Sequence, residues 1–424
     1  MYDLNYLHPF FIKKSEARPL NPFWFGFILY SLGYVLSLTN HVDPVICQFF
    51  QVIGLFIFIL SALPLFYLRL ENKYLKIIFT LYCSWLFIVV LRGFALNYNS
   101  VKETLLDGSF GIFVYLAPLI LLFPKKIFFY RKAFDVIVVL CLLYVALSVV
   151  FINDLLDPDF QNANSRNIVE FFTKNLSLPA GFLLLTYAYH SKRRMYLVVF
   201  ITILTLFFVI VRARRALILI TLSPALIAYI IYIVNHKKKF LIISFTLFIA
   251  CLITLYGLII FNESKIFNSV KERGLEDTRT GVEIAFYKDM NTTDWIIGKG
   301  MNGVYYCPGI DSDNSKYRSM IETNYLQIIL KGGIISLGLL LLIIVPACIK
   351  GIFYSKNMLS KAAGIWILLW IFCLYPANVD TFTMNYLLVW MCVGICYTKK
   401  IRNMPDDFIK QYFKSPSKNF LKTN

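Results

Sequence analysis

Arg212, Arg214 and Arg215 crowd the point where one apolar run ends and the next begins, with almost no polar loop to solvate them. Three guanidinium groups so close repel one another unless something anionic lies between them. Their planar forks match phosphate oxygens two at a time, so a diphosphate is a ligand they suit. If the junction is helical, Arg212 and Arg215 stand three residues apart and share a face. A charge at mid-membrane costs up to ~3 kcal/mol by insertion scales, and less near a helix end. The other reading is interfacial arginines that reach out to lipid headgroups.

A second set of reactive residue types lies in residues 262–332, the one long polar segment of the chain, which holds 9 Lys/Arg and 10 Asp/Glu. Arg279 stands in DTRTGVEIAFYKDM, where Ile284, Phe286, Tyr287 and Met290 among polar neighbours predict a helix at the membrane surface. A salt bridge with Asp277 or Glu283 is its alternative use. The run DWIIGKGMNG lacks the P-loop pattern and predicts a tight turn, not a nucleotide cradle. In IETNYLQIILKGG, Glu322 precedes a run of buried-helix character, with Asn324 and Tyr325 beside it. A partly desolvated carboxylate near arginines suits a general base. It equally suits a helix N-terminus, where the macrodipole favours negative charge. Trp295, Tyr305 and Tyr306 offer faces for sugar rings, or a core for the segment itself.

The elements that must position these residues are membrane helices. The chain is 58% hydrophobic and only 16% charged, with a mean hydropathy of +0.67, against about 25% charged residues in soluble domains. Apolar runs at about 23–39, 45–68, 77–96, 110–123, 134–152, 168–189, 195–211, 216–234, 240–261, 333–349, 362–376 and 385–398 predict about 12 spans. None alternates like a barrel strand, so the fold class is an all-α polytopic membrane protein: one membrane domain over residues 1–424, with 262–332 as an external cap.

Basic clusters mark every connection on one side. By the positive-inside rule that side and both termini are cytoplasmic, and the long segment is external, hence periplasmic in a Gram-negative cell. The net charge of +18 then reflects orientation and calls for no nucleic-acid partner. Arg92, Arg166 and Arg318 fall on the external side, against the trend, and join the candidate substrate contacts. Eight of nine cysteines lie in apolar runs and no C-x-x-C occurs, so neither a metal site nor a cofactor is expected.

Four features recur in a fixed order: Arg215-Ala216 opening a span, Arg279 before a surface helix, Gly298-Lys299-Gly300, and Glu322 to Gly333. This order resembles the O-antigen polymerase and O-antigen ligase family of bacterial envelope glycosyltransferases. The resemblance implies a GT-C-like membrane fold and a metal-independent, inverting transferase of the inner membrane. Its donor is a polyprenyl-diphosphate-linked oligosaccharide, held at the diphosphate by arginines of the outer face. On the matched positions Arg215 and Arg279 take that role, with Arg212 and Arg214 assisting. It also implies a membrane-lipid setting and a partner protein that regulates chain length.

Ligases of the family carry a histidine where this chain has Glu322. None of His8, His41, His190 and His236 lies in the long segment. That departure favours a polymerase, with Glu322 as base, over a ligase that passes the glycan to lipid A core. A lipid-linked glycan flippase is the rival from another class. It needs polar residues near mid-membrane, and Lys174 and Asn175 are the main such pair.

Overall fold

The computed structural model describes residues 18–67, 70–94, 96–157, 162–236, 279–308 and 316–414, with 12–13, 239, 244 and 421–422. The expected span at 240–261, apart from residue 244, and the first part of the cap, 262–278, lie outside the described residues. In chain order the helices are α1 (Leu20–Ser37), α2 (Pro44–Ala62), α3 (Lys73–Gly93), α4 (Tyr98–Leu106), α5 (Ile112–Leu116), α6 (Ile127–Val150), α7 (Ile152–Leu155) and α8 (Ala163–Phe172). There follow α9 (Ala180–Leu185), α10 (Lys192–Val211), α11 (Arg215–Asn235), α12 (Thr280–Asp289), α13 (Thr292–Ile297) and α14 (Asn324–Phe353). The last four are α15 (Met358–Cys373), α16 (Met384–Tyr397), α17 (Lys399–Arg402) and α18 (Asp406–Lys414). Among the described residues strands are confined to two-residue bridges: β1 (Ile12–Lys13) pairs with β4 (Leu421–Lys422), and β2 (Tyr305–Tyr306) with β3 (Tyr317–Arg318).

Among the described residues seven helices are long and apolar enough to cross a membrane: 44–65, 73–93, 127–150, 164–185, 192–211, 215–235 and 324–353. Their outward faces carry large exposed apolar side chains such as Phe56, Phe87, Ile203 and Ile230. Water would penalise such faces, and hydrocarbon would not. The polytopic all-α reading therefore holds. α1 and α2 cross closely because Gly26 and Gly54 let the two backbones meet: a Cβ on Gly54 would stand 2.5 Å from the Tyr30 amide nitrogen.

Other expected spans are shorter than foreseen. The run at 110–123 forms α5 and a 3-10 stretch ending at Leu122. α15 and α16 have 16 and 14 residues. Every residue of α16 is buried, and Trp390 and Tyr386 stack on Tyr82 and Trp370. A 14-residue helix rises only about 21 Å. It is apolar on all sides because protein surrounds it, which hydropathy alone does not distinguish from lipid.

The connections sort to two ends. One end ties 131 to 412, 194 to 135 and 357 to 401–404. The other brings 40 to 164, 93 to 302, 108 to 382 and 325 to 374. The lysine-rich connections lie at the first end. All the candidate site residues lie at the second.

Candidate active site

The cap is a small folded body with its own core. Val282, Phe286 and Met290 of the α12 region pack on Tyr305, Cys307, Ile321, Leu326, Ile329 and Leu330. This corrects the surface-helix expectation in part. Ile284 and Tyr287 are exposed, while Phe286 and Met290 face this core instead of a membrane. Tyr305 is fully buried and belongs to the core too, with its hydroxyl donating to the Met320 carbonyl at 3.1 Å, so it presents no face to a sugar.

The glycine-rich run is the expected tight turn, and its purpose is docking. Gly298 and Gly300 have φ of 69° and 86°, values that suit glycine alone. Their turn lies against a break in α14 at Gly333, where φ is again 69°. Lys299 and Gly300 donate their amides to the Leu330 and Lys331 carbonyls at 2.7 and 2.9 Å. A Cβ on Gly298 would meet the Gly332 nitrogen at 2.5 Å. The two glycine motifs are halves of one joint. Arg92 locks it from below, donating to the Ile297 and Gly298 carbonyls, each at 2.7 Å. Its guanidinium thus serves this joint, on a side chain that stays exposed.

The arginine cluster at 212–215 also differs from expectation. The junction is not helical: α10 ends at Val211, and Ala213 takes a left-handed φ of 50° before α11 begins. The three side chains therefore diverge. Arg212 is 1% exposed. It donates to the Asp157 carbonyl at 2.9 Å and the Asp154 carbonyl at 3.3 Å, and lies 3.9 Å from the Asp157 carboxylate. Arg214 pairs with Glu170 at 3.0 Å, and Lys174 reaches the same carboxylate at 2.7 Å. The anion between these arginines is the chain's own. Arg212 thus ties the 154–157 segment to the end of α10. Arg215, by contrast, is exposed at the start of α11, and Arg166 lies on α8 one turn before Glu170.

Arg279 and Glu322 do come together. The Arg279 Nε donates to Glu322 Oε2 at 3.3 Å, with side chains 34% and 46% exposed. The same guanidinium donates through Nη2 to the Pro376 carbonyl at 2.6 Å. One residue past the carboxylate, Thr323 donates to Glu283 of α12 at 2.5 Å. The pair thus sits on the seam between the cap, the head of α14 and the turn at 374–383. Tyr325 lies beside it, stacked on Tyr375 with planes 14° apart, and Tyr287 stacks on Trp295. Arg318, on β3 opposite Tyr305, borders the cap from the other side.

The turn at 374–383 links this seam to the rest. Ile220 of α11 shares a small cavity with Cys373 and Val379, so the helix headed by Arg215 approaches the same turn. Beneath it Asp380 lines a second cavity, of about 40 Å³, with Gln327, Lys331, Ser336, Tyr115 and Tyr386. That volume exceeds the ~10–15 Å³ a water needs. Lys331 is buried and donates to the Gly303 carbonyl at 2.9 Å. Burial pushes the Asp380 carboxyl up to about 7, despite the Asn324 amide and the Lys331 and Lys174 ammonium groups that favour its charged form.

Neither a family model, nor a curated protein, nor a solved structure matches this chain. The site must be read from its own chemistry.

Sequence reasoning placed Glu322, Arg279, Asn324 and Tyr325 in one neighbourhood, and there they are. It missed Asp380, Tyr375 and Lys331. Tyr375, Pro376 and Asp380 fall in LYPANVDTF, a polar turn between two short apolar helices, and that Pro-Ala-Asn-x-Asp pattern was the available signal.

Proposed function

We propose that this chain is a membrane glycosyltransferase that joins polyprenyl-diphosphate-linked oligosaccharide units, an O-antigen-type polymerase with a GT-C-like fold. The observation that carries the reading is the accessible Arg279–Glu322 pair on the seam of a cap over membrane helices, flanked by the exposed rings of Tyr287 and Tyr375. The lysine-rich end is the cytoplasmic one by the positive-inside rule. On this reading the seam faces the outer side of a bacterial inner membrane, with both termini inside. The β1–β4 bridge between the terminal segments is consistent with a common side.

In the proposed reaction an acceptor hydroxyl attacks the anomeric carbon of the donor from the face opposite the diphosphate. The new C–O bond forms as the bond to the diphosphate breaks, and the leaving group keeps the electron pair. Arg279 and Arg215 stabilise that departing charge, as preorganised donors in a low-dielectric site can. The hydroxyl proton goes to Glu322. An arriving diphosphate competes with Glu322 for Arg279, so donor binding itself frees the base. Aromatic rings at the seam support sugar faces.

A second reading has one specific observation in its favour. The buried Lys331 and the partly buried Lys174, Glu170 and Asp380 are what a lipid-linked glycan transporter would carry at its centre. The test separates them. The gene is deleted in its host and restored as wild type, Arg279→Ala or Glu322→Ala, and surface glycolipids are run on a gel. A polymerase variant loses the ladder and keeps a single-repeat band. Loss of every glycan-bearing band with accumulation of lipid-linked polymer indicates a ligase. An intact ladder in both variants overturns the enzyme reading.

A further inference from the structure

The largest open groove among those described is far from the seam, at the lysine-rich end. It encloses about 860 Å³ between the foot of α14 and the α16–α17 corner. Lys350, Lys356, Lys399 and Arg402 line it, and no carboxylate does. Among the described residues none of these four is in a salt bridge. The nearby acids are engaged elsewhere: Asp406 bonds Tyr189, the Met358 amide and Lys410, and Asp407 also faces Lys410.

The groove is also held rigidly. Arg402 donates to the Tyr354 carbonyl at 2.8 Å, and the Lys356 amide donates to the Arg402 carbonyl at 2.8 Å. The buried Asn357 amide reaches the Ile401 and Met404 carbonyls at 2.7 and 3.0 Å. Lys350 is fixed over the Tyr397 ring, 4.1 Å from its centroid. Two of the four cations, Lys350 and Arg402, are therefore held in place, while Lys356 and Lys399 stand exposed at the rim; the mutual repulsion of the four is relieved by an anion.

The wall above the groove says which kind of anion. Leu342, Val345, Ile349 and Phe353 are all exposed. Their spacing of three to four residues puts them on one face of α14, running down the membrane-crossing half of the helix into the groove. An acyl chain fits that stripe while its headgroup sits among the cations. Basic pockets between membrane helices are suited to such headgroups.

We propose that this groove binds an anionic phospholipid, its phosphate held by Lys350, Lys356, Lys399 and Arg402 and its acyl chain along the α14 stripe. The site is independent of the reaction at the seam.

The test uses the full chain purified in a neutral detergent, read by native mass spectrometry and by thermal unfolding. Phosphatidylglycerol is compared with phosphatidylcholine of the same acyl chains, and with sodium phosphate. The expected result is retained phosphatidylglycerol adducts and a raised unfolding midpoint, with neither effect from phosphatidylcholine. Lys356→Gln/Lys399→Gln removes two exposed cations and leaves the Arg402 and Asn357 clamps intact. It should weaken the phosphatidylglycerol effect on the order of tenfold or more. Equal response to both lipids, or an undiminished response in the double variant, overturns the proposal. A response to sodium phosphate matching that to phosphatidylglycerol would show a simple anion site and overturn the lipid assignment. Phe353→Ser checks the stripe: it should lower phosphatidylglycerol retention without creating a response to phosphate.

Discussion

Two groups of arginines at the same end of the molecule meet carboxylates in opposite ways. Arg212 is sealed under the 154–157 segment and satisfied by two carbonyls and Asp157. Arg279 stands on the cap seam, a third exposed, with Glu322 at 3.3 Å and one carbonyl. In sequence both look like diphosphate ligands. The difference lies in what each can release. Freeing Arg212 would break a set of bonds around a buried guanidinium, whereas the Arg279–Glu322 pair is open to solvent on both sides. An arginine is available for chemistry when its counterion is exchangeable, not when its position merely runs against the charge rule.

That contrast can be broken by substitution. The largest effect is expected at Arg212. Arg212→Ala removes a buried guanidinium and its charge-assisted bonds to two carbonyls, and should destabilise the protein by ~3–5 kcal/mol, read as a lower unfolding midpoint or loss of folded protein in detergent. Arg212→Lys should not rescue it, because an ammonium cannot serve the same diverging acceptors. Arg279→Ala should do the reverse, costing under ~1 kcal/mol of stability while, on the proposed function, polymer formation falls by ~10²–10³. If Arg279→Ala unfolds the protein and Arg212→Ala leaves it stable, the division proposed here is wrong.

Asp380 offers a subtler probe of the interior beneath the seam. Its ordinary value is 3.8 and its folded value is about 7. Between those limits the folded state holds a proton that the unfolded state has released, so stability falls as pH rises through that window. Asp380→Asn cannot lose a proton there. Its unfolding midpoint should change less than that of wild type from pH 4 to pH 8, with the largest gain over wild type on the alkaline side. Parallel curves for the two proteins would show that Asp380 is not held protonated.

Much of this fold was legible because a bilayer demands long apolar runs, and those runs are plain in α3, α6 and α10. The length and surroundings of α16 were not. Its 14 residues are as apolar as a lipid-facing helix for a different reason, burial within protein on every side. The seam was legible in part. Glu322 and Arg279 stood out as polar residues between apolar runs, but their meeting depends on how the cap folds over α14, which no local pattern encodes. The 212–215 junction was not legible, since Arg212 and Arg215 share a face only if a helix runs through Ala213, whose φ is 50°. An alanine with positive φ is uncommon, and nothing in Arg-Ala-Arg-Arg announces one. Asp380 escaped because its setting is built from α3, α14 and α16, distant in sequence.

The joint at Gly333 has a metric consequence. From Asn324 to Gly332 the first part of α14 has nine residues, which rise about 13 Å. Because Gly298 and Gly300 pin its lower end, this stub acts as a ruler that sets how high Glu322 stands above the joint. On the proposed function, that height is the depth at which the donor's anomeric carbon would have to lie. Adding one residue to the stub would lift the carboxylate by about 1.5 Å and swing it by about 100°, parting it from Arg279 without touching either residue.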